Sequence, residues 1–295
     1  MDGVVNILKP PGMTSSDVVM WLRRALKLKK IGHTGTLDPG VVGVLPLCLG
    51  NATRLAEYLT EEGKAYRAEI TFGIKTDSQD SYGKVIHSAP VTMNEQEFKK
   101  ILPTFLGTIR QVPPMYSAVR IGGKHLYEYA RQGVEIERVE RTVQVFRLEL
   151  LEWEAGEYPR AVFDVECSKG TYIRTLCADI GEALGCGAYM SYLLRTRSGL
   201  LKIHDSWTIE EIERCLAIND FSFIVSPSTV LSLPSVKLPY YGVSQFLNGL
   251  PTDQMILSCD AYLDNQYVQV LEESKLIGIG VWRNAKLYPH KVFKH

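Results

Sequence analysis

No run of eighteen consecutive apolar residues occurs in this 295-residue sequence, so no segment reads as a transmembrane helix. Met1-Asp2-Gly3 opens the chain without the basic-then-apolar pattern of a signal peptide. There is no internal repeat and no low-complexity tract. The six cysteines, Cys48, Cys167, Cys177, Cys186, Cys215 and Cys259, include no C-x-x-C pair, and no histidine stands at zinc-ligand spacing from them. They read as buried thiols, not as a metal site or a disulfide framework. Charge of one sign is also missing: Lys plus Arg and Asp plus Glu each number 33. That balance argues against a protein whose whole surface grips nucleic acid. With 45% apolar residues the chain can build a large core, and the expectation is a cytoplasmic, soluble protein of one large domain and one small one.

The charge that is present is unevenly placed. Arg23, Arg24, Lys27, Lys29 and Lys30 cluster without an acid, and Arg110, Arg120, Lys124 and Arg131 face Glu128 alone. Such stripes are the footprint of a phosphate-backbone ligand, although solvated helix faces give the same pattern. Periodicity predicts a buried strand over residues 3–8 and a helix from Ser15 or Ser16 to about Lys29. A strand is expected at 44–49 and a short helix at 53–59. Residues 64–73 alternate, with Tyr66, Ala68, Ile70 and Phe72 on one face. Asn94 with Glu97 forms a capping box, and Thr208 with Glu211 another. Residues 142–153 and 161–167 read as paired strands, 171–184 as a helix closed by Gly185, and 193–201 as a strand. Residues 113–133 have little periodicity and much Tyr, Arg and Gly, and read as an excursion from the core. Beyond Pro227, Pro234 and Pro239, short β-like runs mark a small second domain.

Gly32-His33-Thr34-Gly35-Thr36-Leu37-Asp38-Pro39 carries most of the chemistry. Its glycines let a ligand approach the backbone, and Pro39 keeps Asp38 out of helical geometry. An ordinary surface turn would share this composition.

Several motifs together resemble the TruB-type tRNA pseudouridine synthases, which act on uridine 55 of the T-loop. They are Lys9-Pro10-Pro11-Gly12-Met13-Thr14-Ser15, the Gly32 to Pro39 run, Lys64-Ala65-Tyr66-Arg67 and Thr76-Asp77-Ser78-Gln79-Asp80. After these come Pro113-Pro114-Met115-Tyr116-Ser117-Ala118, Leu126 to Gly133, Cys167-Ser168-Lys169-Gly170-Thr171-Tyr172-Ile173-Arg174 and Leu193-Leu194-Arg195-Thr196. Their order and spacing cover nearly the whole chain.

The resemblance implies a mixed α/β (α+β) pseudouridine-synthase catalytic domain at residues 1–235, on a largely antiparallel sheet with flanking helices. A thumb-like RNA-binding insertion would span about 113–141, and a small β-rich PUA-like domain residues 240–295. It implies Asp38 as the catalytic acid-base or nucleophile, with Arg174 beside it keeping it ionised. Tyr66 would stack on the target base and assist proton removal at C5. Tyr172 would contact substrate by its hydroxyl, Leu193 would floor the pocket, and His33 would fill the space left by the flipped uridine. Asp80 would brace this network. Tyr66 fits a core tyrosine equally well, and Leu193 an ordinary core leucine. No metal, cofactor or guide RNA is implied: isomerisation changes no redox state and needs no group donor. The partner would be tRNA, through its T-stem-loop and, by Lys286, His290, Lys291 and Lys294, its acceptor end; a monomer is the default.

Attack at C6, attack at C1′ and a glycal route all stay open. So do two other functions: an RNA-folding protein, and a guide-dependent synthase of ribosomal RNA. The start of the chain two residues before its first strand favours the stand-alone reading over the latter. Two positions depart from the commoner family pattern. Gly40-Val41-Val42-Gly43 replaces Leu-Ala-Thr-Gly, and Leu8 stands where relatives often carry an acid.

Overall fold

The computed structural model describes residues 1–253 and 263–293; Cys259 and Lys294 lie outside them. The large sheet runs, in spatial order, through the strands Ile224–Val225, Gly3–Lys9, Val42–Leu49, Ala188–Ser198, Lys64–Phe72, Arg160–Cys167, Arg141–Glu154 and Gly107–Gln111. Every pairing along it is antiparallel except that of Val42–Leu49 with Ala188–Ser198. Such a sheet buries alternate residues on one face, and Ala68, Ile70 and Phe72 do lie fully buried. The helices Ser15–Ala25 and Ile173–Ala183 cover that face with Val18, Leu22, Ile173, Leu176 and Ile180. The fold is thus the mixed α/β class expected, and the motif strands stand side by side at its centre.

Local differences have local causes. Thr14, not Ser15 or Ser16, caps the first helix, closing a box with Asp17. The helix stops at Ala25, short of Lys29, because Lys27 adopts a left-handed conformation, φ 51°. Residues Gly50–Leu55 form a 3-10 turn leading into the helix Ala56–Glu61. The last long strand starts at Ala188, before Leu193, and turns back through Leu201–Lys202. The excursion folds as a small hairpin, Arg120–Ile121 with Lys124–His125, and a helix, Leu126–Arg131.

A second, five-stranded sheet holds Ser235–Lys237, Tyr267–Glu272, Lys275–Arg283, Lys286–Val292 and Thr252–Asp253 in that spatial order. With the helix Tyr240–Leu247 it encloses Val236, Phe246, Val270, Trp282 and Leu287. Two of the tail's basic residues are already engaged. Lys286 pairs with Asp253 at 3.0 Å, and Lys291 pairs with Glu57 on the large body. His290 packs against the ring of Tyr267.

Candidate active site

The parallel junction of the large sheet builds the site. Arg195 stands opposite Gly43 on one side and opposite Tyr66 on the other. Strand register therefore places the end of the Asp38 loop, Arg195 and Tyr66 in one row. Gly43 is needed there twice over. Its φ is +122°, and a Cβ would lie 2.2 Å from the Arg195 carbonyl oxygen. Arg195 is 2% exposed, and its Nε donates to Val44 O at 2.6 Å.

The loop carrying Asp38 is held from three sides. Ser15 Oγ accepts from Leu37 N at 2.8 Å, one residue before the acid. The fully buried Lys9 donates from Nζ to Pro39 O at 3.1 Å, and to Pro10 O and Met13 O at 2.8 and 2.6 Å. Burial lowers the Lys9 ammonium to about 8, with the Asp38 charge pulling it back up. Arg174 closes the third side. It is brought by the first turn of its helix, where Gln111 clamps Tyr172 just ahead of that turn: Tyr172 N donates to Gln111 Oε1 at 3.0 Å.

Arg174 Nη2 stands 3.1 Å from Asp38 Oδ2, and Nη1 stands 3.3 Å from Asp80 Oδ2. Nη2 also donates to Tyr116 O at 2.9 Å, tying the guanidinium to the root of the excursion. Asp80 is fixed in turn by Ser78 Oγ at 2.6 Å. One cation thus sits between two carboxylates, with 6% of its side chain exposed. Asp38 keeps 42% of its side chain open to the cleft. The packing around its other sides pushes its carboxyl above the usual range, against the pull of Arg174. The arginine orients the acid without fully offsetting the loss of water.

The cleft is lined by Asp38, Tyr66, Ser117, Tyr172, Arg174 and Leu193 among others, and encloses about 280 Å³. Tyr66 is half-buried, and burial raises its hydroxyl above the ordinary tyrosine value, so it stays protonated. Leu193 is 8% exposed and gives the cleft apolar wall. The buried hydroxyls Thr34 Oγ1 and Ser117 Oγ have no hydrogen-bond partner among the described residues. His33 does not line this cleft. It ends the short strand Ile31–His33, half-buried, and burial keeps its imidazole neutral. Its Nδ1 accepts a long bond from Gly35 N at 3.4 Å.

The structure therefore brings together Asp38, Tyr66, Tyr172, Arg174, Leu193 and Asp80, with His33 adjoining. Sequence reasoning missed Lys9, Gln111 and Arg195 as individual site residues. Lys9 and Arg195 belong to the family-like motifs, which was the available signal. Nothing local to Gln111 announces its clamp on Tyr172. Among the described residues no cluster of His, Cys, Asp and Glu is placed to hold a metal, and none of their helices is long and apolar enough to cross a membrane.

Comparison with known proteins adds the chemistry. The model of the TruB family pseudouridylate synthase N-terminal domain matches residues 23–173, and that of the tRNA pseudouridylate synthase B C-terminal domain matches 174–223. The latter segment contributes the strand Ala188–Ser198 to the large sheet. A tRNA pseudouridine synthase B of Alkaliphilus oremlandii is 46% identical over 96% of this chain and 94% of its own. One of Symbiobacterium thermophilum is 51% identical over 85% and 83% respectively. Among solved structures, a chain of an H/ACA RNP bound to a substrate RNA containing 2′-deoxyuridine superposes with a TM-score of 0.77 at 27% identity, over 99% of this chain and 85% of that one. A chain of a Cbf5-Nop10-Gar1 complex gives 0.76 at 29%, over 99% and 84%.

Proposed function

We propose, for a chain that belongs to the TruB family of pseudouridylate synthases and is thus an RNA pseudouridine synthase, that its substrate is uridine 55 in the T-loop of tRNA. The observation that carries the catalytic part is the Asp38–Arg174 pair at 3.1 Å in a cleft of about 280 Å³. In this reading the uridine leaves its stack to reach Asp38, which lines that cleft.

The N1–C1′ bond breaks, the base turns, and a C5–C1′ bond forms; the C5 proton is lost and N1 takes one up. Asp38, ionised and oriented by Arg174, acts on the sugar or base as nucleophile or base. Tyr66 supplies a ring face that holds the base while it turns, and its hydroxyl assists proton removal at C5. Leu193 closes the apolar side, Tyr172 contacts the substrate by its hydroxyl, and His33 fills the space that the extruded uridine leaves. No step calls for a cofactor or a metal.

Residues 1–235 form the catalytic body in this reading, and about 113–141 fold over bound RNA. The aromatic and basic side chains of the excursion suit it to RNA. Arg131 lies over the Tyr127 ring at 5.4 Å, and His125 stacks on Tyr127 at 5.2 Å. Residues 240–295 act as a PUA-like module toward the acceptor end of tRNA. The protein works in the cytoplasm as a monomer, without guide RNA.

The test is tritium release from a T-arm hairpin labelled at uridine C5, with the purified protein alone. Release of one tritium per hairpin, abolished when the target is changed to cytidine, supports the reading. Tight binding without release contradicts it and favours a guide-dependent or RNA-folding role, which the likeness to the H/ACA chains keeps in view.

A further inference from the structure

Beside the catalytic loop, the turn of residues 77–83 carries an aromatic side chain that the reaction above does not use. Tyr82 is 78% exposed. An exposed tyrosine alone signifies little, because single exposed apolar residues are common. This one is seated. A Cβ placed on Gly40 would lie 2.2 Å from both Tyr82 Cε2 and Oη and 2.4 Å from Cζ, so the tip of the ring rests directly on the Gly40 backbone. Gly40 is not among the residues of positive φ. Its missing side chain serves the close approach of Tyr82 and not an unusual backbone conformation.

The other end of Tyr82 is fixed too. Its backbone N donates to Asp80 Oδ1 at 3.0 Å, and the second oxygen of that carboxylate faces Arg174 at 3.3 Å. The ring is therefore anchored at its root to the carboxylate that holds the catalytic arginine. At its tip it rests two residues beyond Asp38. An aromatic seated in this way with most of its surface open, beside the loop residues Asp38 and Val41 that line the cleft, is a preorganised stacking surface. Stacking on such a ring is tolerant of base identity and costs little side-chain entropy when the ring is already held.

We propose that Tyr82 is a substrate-binding residue, stacking on a nucleotide that flanks the target uridine, with Gly40 as its seat. The proposal rests on the RNA-modifying function above, but its test reads affinity and not turnover.

Dissociation constants of the full chain are measured for the T-arm hairpin and for unfractionated tRNA. Tyr82→Ala should weaken binding about tenfold or more, in the range for loss of one stacked base, while Tyr82→Phe stays within about twofold. Gly40→Ala should push the ring tip off its seat and leave the loop folded, weakening binding when Tyr82 is present and having no effect in a Tyr82→Ala background. The turnover rate at saturating RNA should stay close to wild type in all of them.

Wild-type affinity for Tyr82→Ala overturns the proposal. Equal losses for Ala and Phe also overturn it, because they assign the effect to the hydroxyl. A fall in turnover without loss of affinity overturns it as well, leaving Tyr82 as a brace for the loop. If the wild-type protein releases no tritium from the hairpin, the T-loop reading fails, while the affinity comparison on tRNA still decides the role of Tyr82.

Discussion

Arg174 and Asp38 approach to 3.1 Å although one begins a helix and the other sits within a loop far away in sequence. The guanidinium is also shared with Asp80 at 3.3 Å and with the Tyr116 carbonyl at 2.9 Å. Its planar fork satisfies all three at once, which a lysine ammonium cannot do in the same geometry. Arg174→Lys should therefore lower the turnover rate by about two to three orders of magnitude, the usual loss for one preorganised donor. The affinity for RNA should change little. Single-turnover kinetics beside filter binding separates the two.

Burial raises the Asp38 carboxyl above its ordinary range, and Arg174 opposes the rise. The acid limb of the turnover profile should accordingly lie above the ordinary aspartate value of about 4, and Arg174→Gln should move it further up. Linkage gives a second sign. A carboxyl raised in the fold stabilises it when protonated, and that contribution is lost as pH rises through the raised value. The melting temperature of Asp38→Asn relative to wild type should therefore improve as pH climbs from about 4 to 7. A melting difference that stays flat over this range contradicts the raised carboxyl.

Tyr66 offers a ring face and a hydroxyl that burial keeps protonated. Tyr66→Phe keeps the face, so RNA affinity should hold while turnover falls by about a hundredfold or more, on the scale of a lost acid-base group. Tyr66→Leu should lose turnover as well and also weaken capture of the flipped base. Equal turnover for Phe and Tyr would confine Tyr66 to stacking.

Lys9 is fully buried and donates to the carbonyls of Pro10, Met13 and Pro39. Lys9→Met leaves those oxygens unpaired in the interior and should cost about 3 kcal/mol of stability. Chemical denaturation at neutral pH measures it. Turnover at a temperature where both proteins are folded should fall much less, because Lys9 holds the loop and not the substrate.

Much of this architecture was legible in the chain. The capping boxes at Asn94 and Thr208 formed as their residue spacing required, and the alternation at 64–73 became a central strand. Those signals are local. The first helix ended early because of the left-handed conformation at Lys27, which a lysine does not advertise. Lys9 and Arg195 stand inside family-like motifs, but their burial against carbonyls from distant segments appears only in the fold. The helper residues of a site are set by long-range packing, and a single sequence shows them only when a motif carries them along.

The central claim is that Asp38 performs the chemistry on a bound uridine. It is tested most directly by single-turnover tritium release from a C5-labelled T-arm hairpin with Asp38→Asn, measured beside the dissociation constant. The account predicts near wild-type affinity with no release above background. Release at more than a trace of the wild-type rate would remove Asp38 from that role.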